Sequence, residues 1–358
     1  MRLPWLFKTY QLKTLKLPNR IVMAPLTRCR AHSDGTPSDF AALYYQQRAR
    51  AGLIISEATC ISPQAKGYAF TPGIYTNAHI EAWKKITRAV HDAQGRIFCQ
   101  LWHVGRISHP NLQPHHALPL APSAIQPNGL AFTEEGFLPF VTPRALETVE
   151  IPYIIEQYRH AAVCAKAAGF DGIELHAANG YLLDQFLRSG SNQRTDGYGG
   201  SVENRLRLII EVMDALLTVW PADRIGIRIS PVSKIHDMSD ENPENTYLKL
   251  IEALNPKHLS YIHVIEGSTD EKTRTASDTF DFQKLKNTFQ GSYIANLNYN
   301  KEQAIEAVYQ KQADLISFGR PFIANPNLVE KLQRNLPLRE APKETWYGGG
   351  EQGYTDWD

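Results

Sequence analysis

The chain has 358 residues, of which 43% are hydrophobic and 21% are charged, so it can bury a large core and is not expected to be disordered. Its 38 Lys and Arg side chains almost balance 37 Asp and Glu side chains, which leaves a net charge of +1. That balance gives no basic surface of the kind that binds nucleic acid or an anionic membrane. The N-terminus lacks the apolar run of a signal peptide, and no segment approaches the roughly 18 apolar residues of a membrane helix. We therefore expect a cytoplasmic protein.

The four cysteines are widely spaced and form no C-x-x-C motif. They are Cys29, Cys60, Cys99 and Cys164. This spacing predicts buried thiols in a reducing compartment and argues against a disulfide framework or a metal site.

Eight short apolar segments have the composition of strands. In chain order they are residues 20–25, 53–59, 96–102, 172–177, 224–230, 261–267, 292–296 and 314–319. Because they are almost continuously apolar and do not alternate, they are typical of parallel strands that are covered on both faces.

Helical patterns separate these strands. The predicted helices are residues 38–50, 78–94, 152–168, 202–219, 243–254, 300–311 and 326–335. Ser201 can cap the fourth of them, with Glu203 in its first turn. Eight alternations without a change in composition predict one (β/α)8 TIM barrel domain over residues 1–358. A doubly wound sheet is the alternative, but no G-x-G-x-x-G motif opens any of the helices.

Two segments lie outside the repeat. Residues 12–19 predict a small hairpin that caps the barrel from its N-terminal side. Residues 105–144 are rich in Pro, His and Gly and are far longer than a usual connection. Because this insertion follows the third strand, it would lie over the face where barrel active sites are found, and its composition favours an ordered lid.

Polar side chains collect where the predicted strands end. They are Thr27, Arg28, Glu57, Thr59, Gln100, Trp102, His103, His176, Asn179, Arg228, Gly319 and Arg320. In a barrel of this kind the carboxyl ends of all strands meet on one face. Residues from six strands would therefore converge there, which is more than an ordinary solvent-exposed surface would explain.

Arg228 and the FGRP motif favour an anionic ligand. Arg228 lies in an apolar run and cannot lose its charge, so it needs a lasting partner, either a core carboxylate or a ligand. Gly319 and Arg320, in the FGRP motif after the eighth strand, suit a loop that holds phosphate through backbone N–H groups. An ordinary turn with a surface Arg is the alternative for that motif.

Histidines suggest metal binding at first sight. His103, His109, His115 and His116 are close in sequence, but three of them lie in a Pro-rich loop without the spacing of zinc ligands. We therefore predict no metal site, and a metal-dependent hydrolase that uses His103, His109 and His176 is kept as the alternative enzyme class.

Motifs along nearly the whole chain resemble the old yellow enzyme family of flavin-dependent ene reductases, particularly the bacterial N-ethylmaleimide and nitrate-ester reductase branch. In order they are NRIVMAPLTR, GLIISEAT, AKGYAFTPGIY, QLWHVGR, HAANGYLLDQFL, RTDGYGGSVENR, GIRIS, FGRPFIANPNLV and WYGGGEQGYTDW. No single motif is decisive, but their joint occurrence in this order is specific.

The resemblance implies that FMN lies non-covalently across the barrel mouth. The implied cofactor contacts are Pro25, Leu26 and Thr27 at the ring, Ala58 beside it, Gln100 at the pyrimidine edge, Arg228 facing N1 and O2, and Gly319 and Arg320 at the phosphate. The turn after the seventh strand departs from the family, with Leu297 and Asn298 where Gly is common. Leu tolerates positive φ poorly, so this turn is the weakest part of the expected phosphate site.

The resemblance also implies a reaction. His176 and Asn179 would donate hydrogen bonds to an oxygen of the substrate, and Tyr181 would protonate the α carbon. Tyr68, Trp102, Trp346 and Tyr347 would wall the pocket. The expected substrates are small activated alkenes, namely α,β-unsaturated carbonyl and nitro compounds, together with maleimides and nitrate esters, reduced at the expense of NADPH or NADH.

Neither nucleic acid nor a membrane is an expected partner, and we expect a monomer or a weak homodimer. A barrel that holds flavin without turnover is a further alternative. The presence of both His176 and Asn179 argues against it, since a storage role needs neither residue.

Overall fold

Eight parallel strands form a closed barrel in the computed structural model, which describes residues 4–267 and 280–358. The barrel strands are Ile21–Met23, Leu53–Ile55, Ile97–Trp102, Gly172–Ala177, Ile225–Ile229, Tyr261–Ile265, Ser292–Asn296 and Leu315–Phe318. Each pairs with its neighbour in chain order, and pairing of the eighth strand with the first closes the ring. The predicted (β/α)8 barrel is confirmed, and the doubly wound alternative is wrong.

The second predicted strand is interrupted. Pairing ends at Ile55 and resumes only at Thr59–Cys60, which lies against the end of the third strand. Between these two pieces, the Glu57 backbone N–H donates a hydrogen bond to the Tyr45 hydroxyl and not to a neighbouring strand. The chain therefore leaves the sheet at this point. The prediction of one strand over 53–59 was therefore wrong in its second half.

Helices cover the outside of the barrel. Those that correspond to the predicted helices are Phe40–Gln47, Asn77–Asp92, Ile151–Ala167, Val202–Leu217, Pro243–Leu254, Lys301–Tyr309 and Leu328–Arg334. The Ser201 side chain accepts a hydrogen bond from the Asn204 N–H, as its position predicts. Three short helices were not predicted: Leu182–Leu187, Phe282–Thr288 and Arg320–Ala324. Each is at most two turns long, so it gives only a weak helical period in the sequence.

Apolar side chains fill the amino-terminal half of the barrel. Val22, Ile55, Phe98, Tyr261, Ile294 and Leu315 belong to one buried cluster. Two glycines make room for its rings, because a Cβ on Gly226 would lie 2.2 Å from the Tyr261 ring and one on Gly172 would lie 2.4 Å from Phe98. This end of the barrel is packed solid, so a ligand can enter only from the other end.

The N-terminal hairpin closes that packed end. Its strands are Tyr10–Leu12 and Leu15–Leu17, two residues earlier than predicted. Leu12, Leu15 and Leu17 are buried in the same apolar cluster as the barrel interior. The hairpin therefore acts as a cap, as predicted.

The long insertion after the third strand is ordered. It carries an antiparallel hairpin, Leu130–Thr133 with Gly136–Pro139, and its two ends pair through Leu120–Ala121 and Arg144–Ala145. The Ala69 N–H donates to the Phe132 carbonyl. The Arg106 guanidinium donates to the His236 carbonyl. The insertion thus touches loops that follow the second and fifth strands, which places it on the carboxyl-terminal face as a lid.

The four cysteines are buried thiols without disulfides, as predicted. Within the described ranges, no helix combines the length and the hydropathy that crossing a lipid bilayer requires.

Candidate active site

The turn after the fourth strand carries three polar residues at the carboxyl end of the barrel. The Asn179 N–H donates to the Ser230 hydroxyl at 2.8 Å, and its carbonyl accepts from His236 Nδ1 at 2.8 Å. Gly180 takes φ +74°, and a Cβ there would lie 2.7 Å from Met238 Cγ, so the turn needs glycine at this position. The structure thus brings the His176 and Tyr181 rings together, 5.1 Å between centroids, with Asn179 and Gly180 in the turn that joins them.

His176 is a neutral imidazole with a defined tautomer. Its Nδ1 accepts a hydrogen bond from the Ala178 N–H at 3.3 Å, so the ring hydrogen lies on Nε2. Burial lowers the pKa of His176 well below its ordinary value, and the charge of Arg228 lowers it further. The ring therefore offers a neutral N–H donor at physiological pH.

Aromatic rings surround His176 and Tyr181. The Trp102 ring stacks on Tyr68 at 5.7 Å between centroids and meets Tyr181 edge-on at 5.0 Å. His176 also meets Tyr181 edge-on, at 5.1 Å. These contacts hold both polar rings in one orientation within an apolar wall.

The Tyr181 hydroxyl lies 3.1 Å from the Tyr68 hydroxyl. Burial raises the pKa of Tyr181 well above its ordinary value, and the neighbouring Tyr68 and Tyr347 hydroxyls raise it further. Tyr181 therefore keeps its proton across the physiological range and can serve only as a proton donor there.

A buried polar layer lies beneath the mouth. Six consecutive barrel strands contribute one side chain each: Gln100, Glu174, Arg228, His263, Asn296 and Ser317. All are buried, and Glu174 and His263 are fully so. The Gln100 amide nitrogen donates to Glu174 at 2.7 Å, and Arg228 Nη2 donates to Asn296 Oδ1 at 3.0 Å.

Two atoms of this layer lack partners. Gln100 Oε1 and Arg228 Nε are buried and form no hydrogen bond within the part of the chain that the structure describes. One is an acceptor and the other a cationic donor, which is the complement of the N–H and carbonyl groups along the pyrimidine edge of a flavin. Because buried polar groups are nearly always paired, this combination fits a bound isoalloxazine.

The first and eighth strands end side by side above this layer. Pro25, Leu26 and Thr27 are half-buried between the buried Ala24 and Arg28. A Cβ on Gly319 would lie 3.4 Å from Leu26 Cδ2, so the FGRP motif borders the segment predicted to contact the flavin ring. Ala58 follows Glu57 in the segment after the second strand, and it is buried.

The turn after the seventh strand has the backbone that its sequence disfavours. Leu297 has φ +141° and Asn298 has φ +46°. Leu297 is 4% exposed and forms a small buried cluster with Ala178 and Ile265. The expected positive φ is therefore present on a leucine, and the packing of its side chain offsets part of the backbone cost.

Gly319 and Arg320 lie at the start of the short helix Arg320–Ala324. Gly319 has φ −100°, which is outside the left-handed region that favours glycine. The exposed Arg320 guanidinium lies 5.7 Å from the Trp346 ring.

Buried arginines hold the C-terminal arm, residues 343–358, against the mouth. Arg28 donates to the carbonyl oxygens of Thr345, Trp346 and Gly353. Arg30 donates to several carbonyls of the same arm. Tyr347 on this arm is 58% exposed, yet its hydroxyl is close enough to raise the pKa of Tyr181. The arm thus supplies the rim of the pocket.

Sequence reasoning missed three features of the site: the partners of Gln100 and Arg228, the arm-holding role of Arg28, and the contact of Glu57 with Arg28. Glu57 accepts the Arg28 N–H, and burial raises its pKa to about 7. A usable signal existed for Glu174 and His263. Each is an ionisable residue inside a continuously apolar strand, which is costly unless it is paired.

The histidines proposed for a metal hydrolase are engaged individually. His103 Nδ1 accepts from the Gly105 N–H, and His109 Nδ1 accepts from the Asn111 N–H. Across residues 4–267 and 280–358, no three His, Cys, Asp or Glu side chains come together as a metal would require. The geometry gives that alternative no support.

The sequence profile of the NADH:flavin oxidoreductase / NADH oxidase family matches residues 5–339. The chain belongs to this family, which includes the old yellow enzymes. It is therefore a flavoprotein oxidoreductase.

Relatives of known name match over nearly their whole length. The chain is 42% identical to 12-oxophytodienoate reductase 1 of Oryza sativa subsp. japonica, over 98% of this chain and 92% of that one. It is 46% identical to morphinone reductase, solved in complex with tetrahydroNAD, with a TM-score of 0.94 over 99% and 97% of the two chains. The old yellow enzyme homologue of Zymomonas mobilis is 41% identical, with a TM-score of 0.95 over 99% of both chains. The family is thus established, and the N-ethylmaleimide reductase branch stays a prediction.

Proposed function

We propose that this protein is an FMN-dependent reductase of activated alkenes that takes its electrons from NADPH or NADH. The observation that carries the proposal is the pairing of two features in one barrel mouth. One is the buried pair Gln100 Oε1 and Arg228 Nε, which have no partner among the described residues, and the other is the neutral His176 with its hydrogen on Nε2. The first feature suits a flavin and the second suits an electron-rich oxygen.

Bound FMN would supply hydride to the substrate. Gln100 would accept a hydrogen bond at the pyrimidine edge, and Arg228 would place positive charge where the reduced ring is most electron-rich. The Thr27 hydroxyl would contact the opposite part of the ring. The phosphate would lie between the Leu297–Asn298 turn and the Gly319–Arg320 segment.

His176 and Asn179 would hold the substrate oxygen. Both can donate, and because His176 stays neutral it stabilises developing negative charge without giving up a proton. Binding of a carbonyl or nitro oxygen there polarises the conjugated double bond toward attack at the β carbon. Trp102 and Tyr68 would exclude water from that side.

Tyr181 would protonate the α carbon. It keeps its proton because burial raises its pKa, and Tyr68 is placed to accept or return a hydrogen bond as that proton leaves. The transfer is favourable only to a strongly basic carbon, such as the one created after attack at the β carbon.

The relatives support the choice of reductant and substrate class. Morphinone reductase was solved with a nicotinamide analogue, and 12-oxophytodienoate reductases are named for an oxo compound. Within the class of activated alkenes we also expect maleimides, nitroalkenes and nitrate esters as oxidants.

An anaerobic titration tests the proposal. Purified protein with FMN should lose its flavin absorption when NADPH or NADH is added, and 2-cyclohexenone should restore it. Protein that takes up no FMN would overturn the proposal. Protein that is reduced but not reoxidised by any enone, maleimide or nitroalkene would instead support a flavin-holding barrel without turnover.

Tyr181→Phe separates the proposed proton donor from the rest of the site. We expect flavin reduction at the wild-type rate and reoxidation by enones slowed by about 10²- to 10⁴-fold, the usual contribution of a general acid. Tyr158→Phe is the matched control, since Tyr158 is buried in the helix Ile151–Ala167, away from the mouth. Equal slowing of both half-reactions in Tyr181→Phe would contradict the assignment.

A further inference from the structure

Glu174 is a fully buried carboxylate beneath the proposed flavin site. One of its oxygens accepts from the Gln100 amide nitrogen at 2.7 Å, and the other lies 3.0 Å from His263 Nδ1. The opposite ring nitrogen of His263 lies 2.7 Å from the Ser317 hydroxyl. Glu174 is therefore the centre of a chain that runs through four barrel strands.

The direction of each hydrogen bond in this chain follows from the charge states. Burial lowers the pKa of His263, so its ring is neutral and carries a single N–H. A carboxylate can only accept, so that hydrogen lies on Nδ1 and points at Glu174, and Nε2 accepts from the Ser317 hydroxyl.

The same logic fixes the amide of Gln100. If the amide were turned over, its oxygen would face a carboxylate oxygen at hydrogen-bond distance, which is repulsive. Only its nitrogen can face Glu174. Gln100 Oε1 is therefore held away from Glu174, in the buried position where it lacks a partner in the described structure.

Glu174 also acts on the charge of Arg228. Burial lowers the pKa of Arg228 to about 10, and the negative charge of Glu174 opposes that fall. Among the described residues the Arg228 guanidinium donates to Asn296 and forms no ion pair within 4 Å. The negative charge of Glu174 therefore partly compensates the charge of Arg228, while Arg228 Nε stays available to a ligand.

We propose that Glu174 is a positioning residue of the flavin site: it holds Gln100 with Oε1 toward the pyrimidine edge, and its charge offsets that of Arg228, which lowers the reduction potential of the bound flavin. This inference rests on the proposed function, because it needs flavin at the barrel mouth. Arg228 favours the electron-rich reduced ring, and a carboxylate in the same low-dielectric layer opposes that preference.

Glu174→Gln removes the charge and can keep the hydrogen bonds. The new amide oxygen would accept from Gln100, and the new amide nitrogen would donate to His263 once the ring hydrogen moves to Nε2 and points at Ser317. We expect the ratio of affinities for reduced and oxidised FMN to rise at least tenfold. For a two-electron couple this is a positive shift of about 30 mV in the midpoint potential.

Glu174→Asp tests the positioning part. This variant keeps the charge but shortens the side chain, so the hydrogen bond from Gln100 is lost. We expect weaker binding of FMN in both redox states, by several-fold, and a smaller change in potential than in Glu174→Gln. Glu302→Gln, on the exposed side of the helix Lys301–Tyr309, is the control for removal of one carboxylate, and its potential should equal that of the wild type.

The outcomes separate the two proposals. Wild-type protein that binds no FMN would end the proposed function. Wild-type protein that binds FMN, with an unchanged or more negative potential in Glu174→Gln, would overturn only the charge role of Glu174. If Glu174→Gln does not fold, Glu174→Asp still decides, because unchanged FMN affinity in that variant would overturn the positioning role.

Discussion

The turns after the fourth and the seventh strands face the same barrel mouth, and both take positive φ. The fourth uses Asn179 at +56° and Gly180 at +74°, residue types that adopt this conformation readily. The seventh uses Leu297 at +141° and Asn298 at +46°. The first turn fits its sequence, whereas the second carries strain on a leucine.

The difference shows what each turn is built around. At Gly180 neighbouring atoms leave no space for a side chain. At Leu297 the side chain contributes to the core, because it packs with Ala178 of the fourth-strand turn and with Ile265. The two turns are therefore connected, and the strained one supports the other through this apolar contact.

Among changes to the two turns, we expect Gly180→Ala to cause the largest loss of stability. The new Cβ would meet Met238 Cγ at 2.7 Å in a backbone conformation that disfavours it. We expect a loss of about 3 kcal/mol in the free energy of unfolding, measured by denaturant titration. Gly200→Ala is the matched control, since Gly200 has φ +79° but nothing within 4 Å of its Cβ, and it should lose only about 1 kcal/mol. Equal losses would show that crowding at the fourth-strand turn is unimportant.

The pH dependence of the free energy of unfolding tests the role of His103, which contacts the fourth-strand turn. The His103 carbonyl accepts the Leu182 N–H, at the start of the helix that follows this turn. Burial lowers the pKa of His103 to about 3, below the value near 6.5 in the unfolded chain. Its contribution is therefore full above pH 6.5 and is lost as the pH falls toward 3, by roughly 2 kcal/mol at pH 5.

His103→Gln should make the dependence of unfolding free energy on pH shallower between pH 6.5 and 5. His116→Gln, an exposed residue of the lid, should leave the slope unchanged. If the slope in His103→Gln matched that of the wild type, His103 would not be the buried neutral base.

The smallest effect concerns the seventh-strand turn. Leu297→Ala and Leu297→Gly both lose the side-chain packing, but only the first keeps a Cβ at positive φ. We expect the glycine variant to be more stable than the alanine variant by about 1 kcal/mol. In ordinary strand or helix backbone the order is the opposite, so an alanine variant of equal or higher stability would contradict strain at Leu297.

Much of the fold followed from the sequence because its signals are local. Continuous apolar runs identified all eight barrel strands, and the Ser201 cap marked the start of a helix. The break at Glu57 and the helix Leu182–Leu187 did not follow, since both depend on contacts from distant residues such as Tyr45 and His103.

The candidate site followed less completely. Strand ends converge in any parallel barrel, so His176, Gln100 and Arg228 could be gathered at one face from the sequence alone. The hydrogen-bond chain through Glu174 and His263 could not, because register between strands decides which side chains meet. Whether the gathered residues bind as proposed stays a prediction.

Binding of phenol to the oxidised, FMN-loaded protein tests the central claim most directly, because its oxygen imitates that of the substrate. Calorimetric titration should show that His176→Ala weakens binding by about 10-fold, as expected for loss of one hydrogen bond. Its FMN content and unfolding midpoint should stay near the wild-type values. Phenol that binds His176→Ala as tightly as the wild-type protein would contradict the assignment of the fourth-strand turn as the oxygen-binding site.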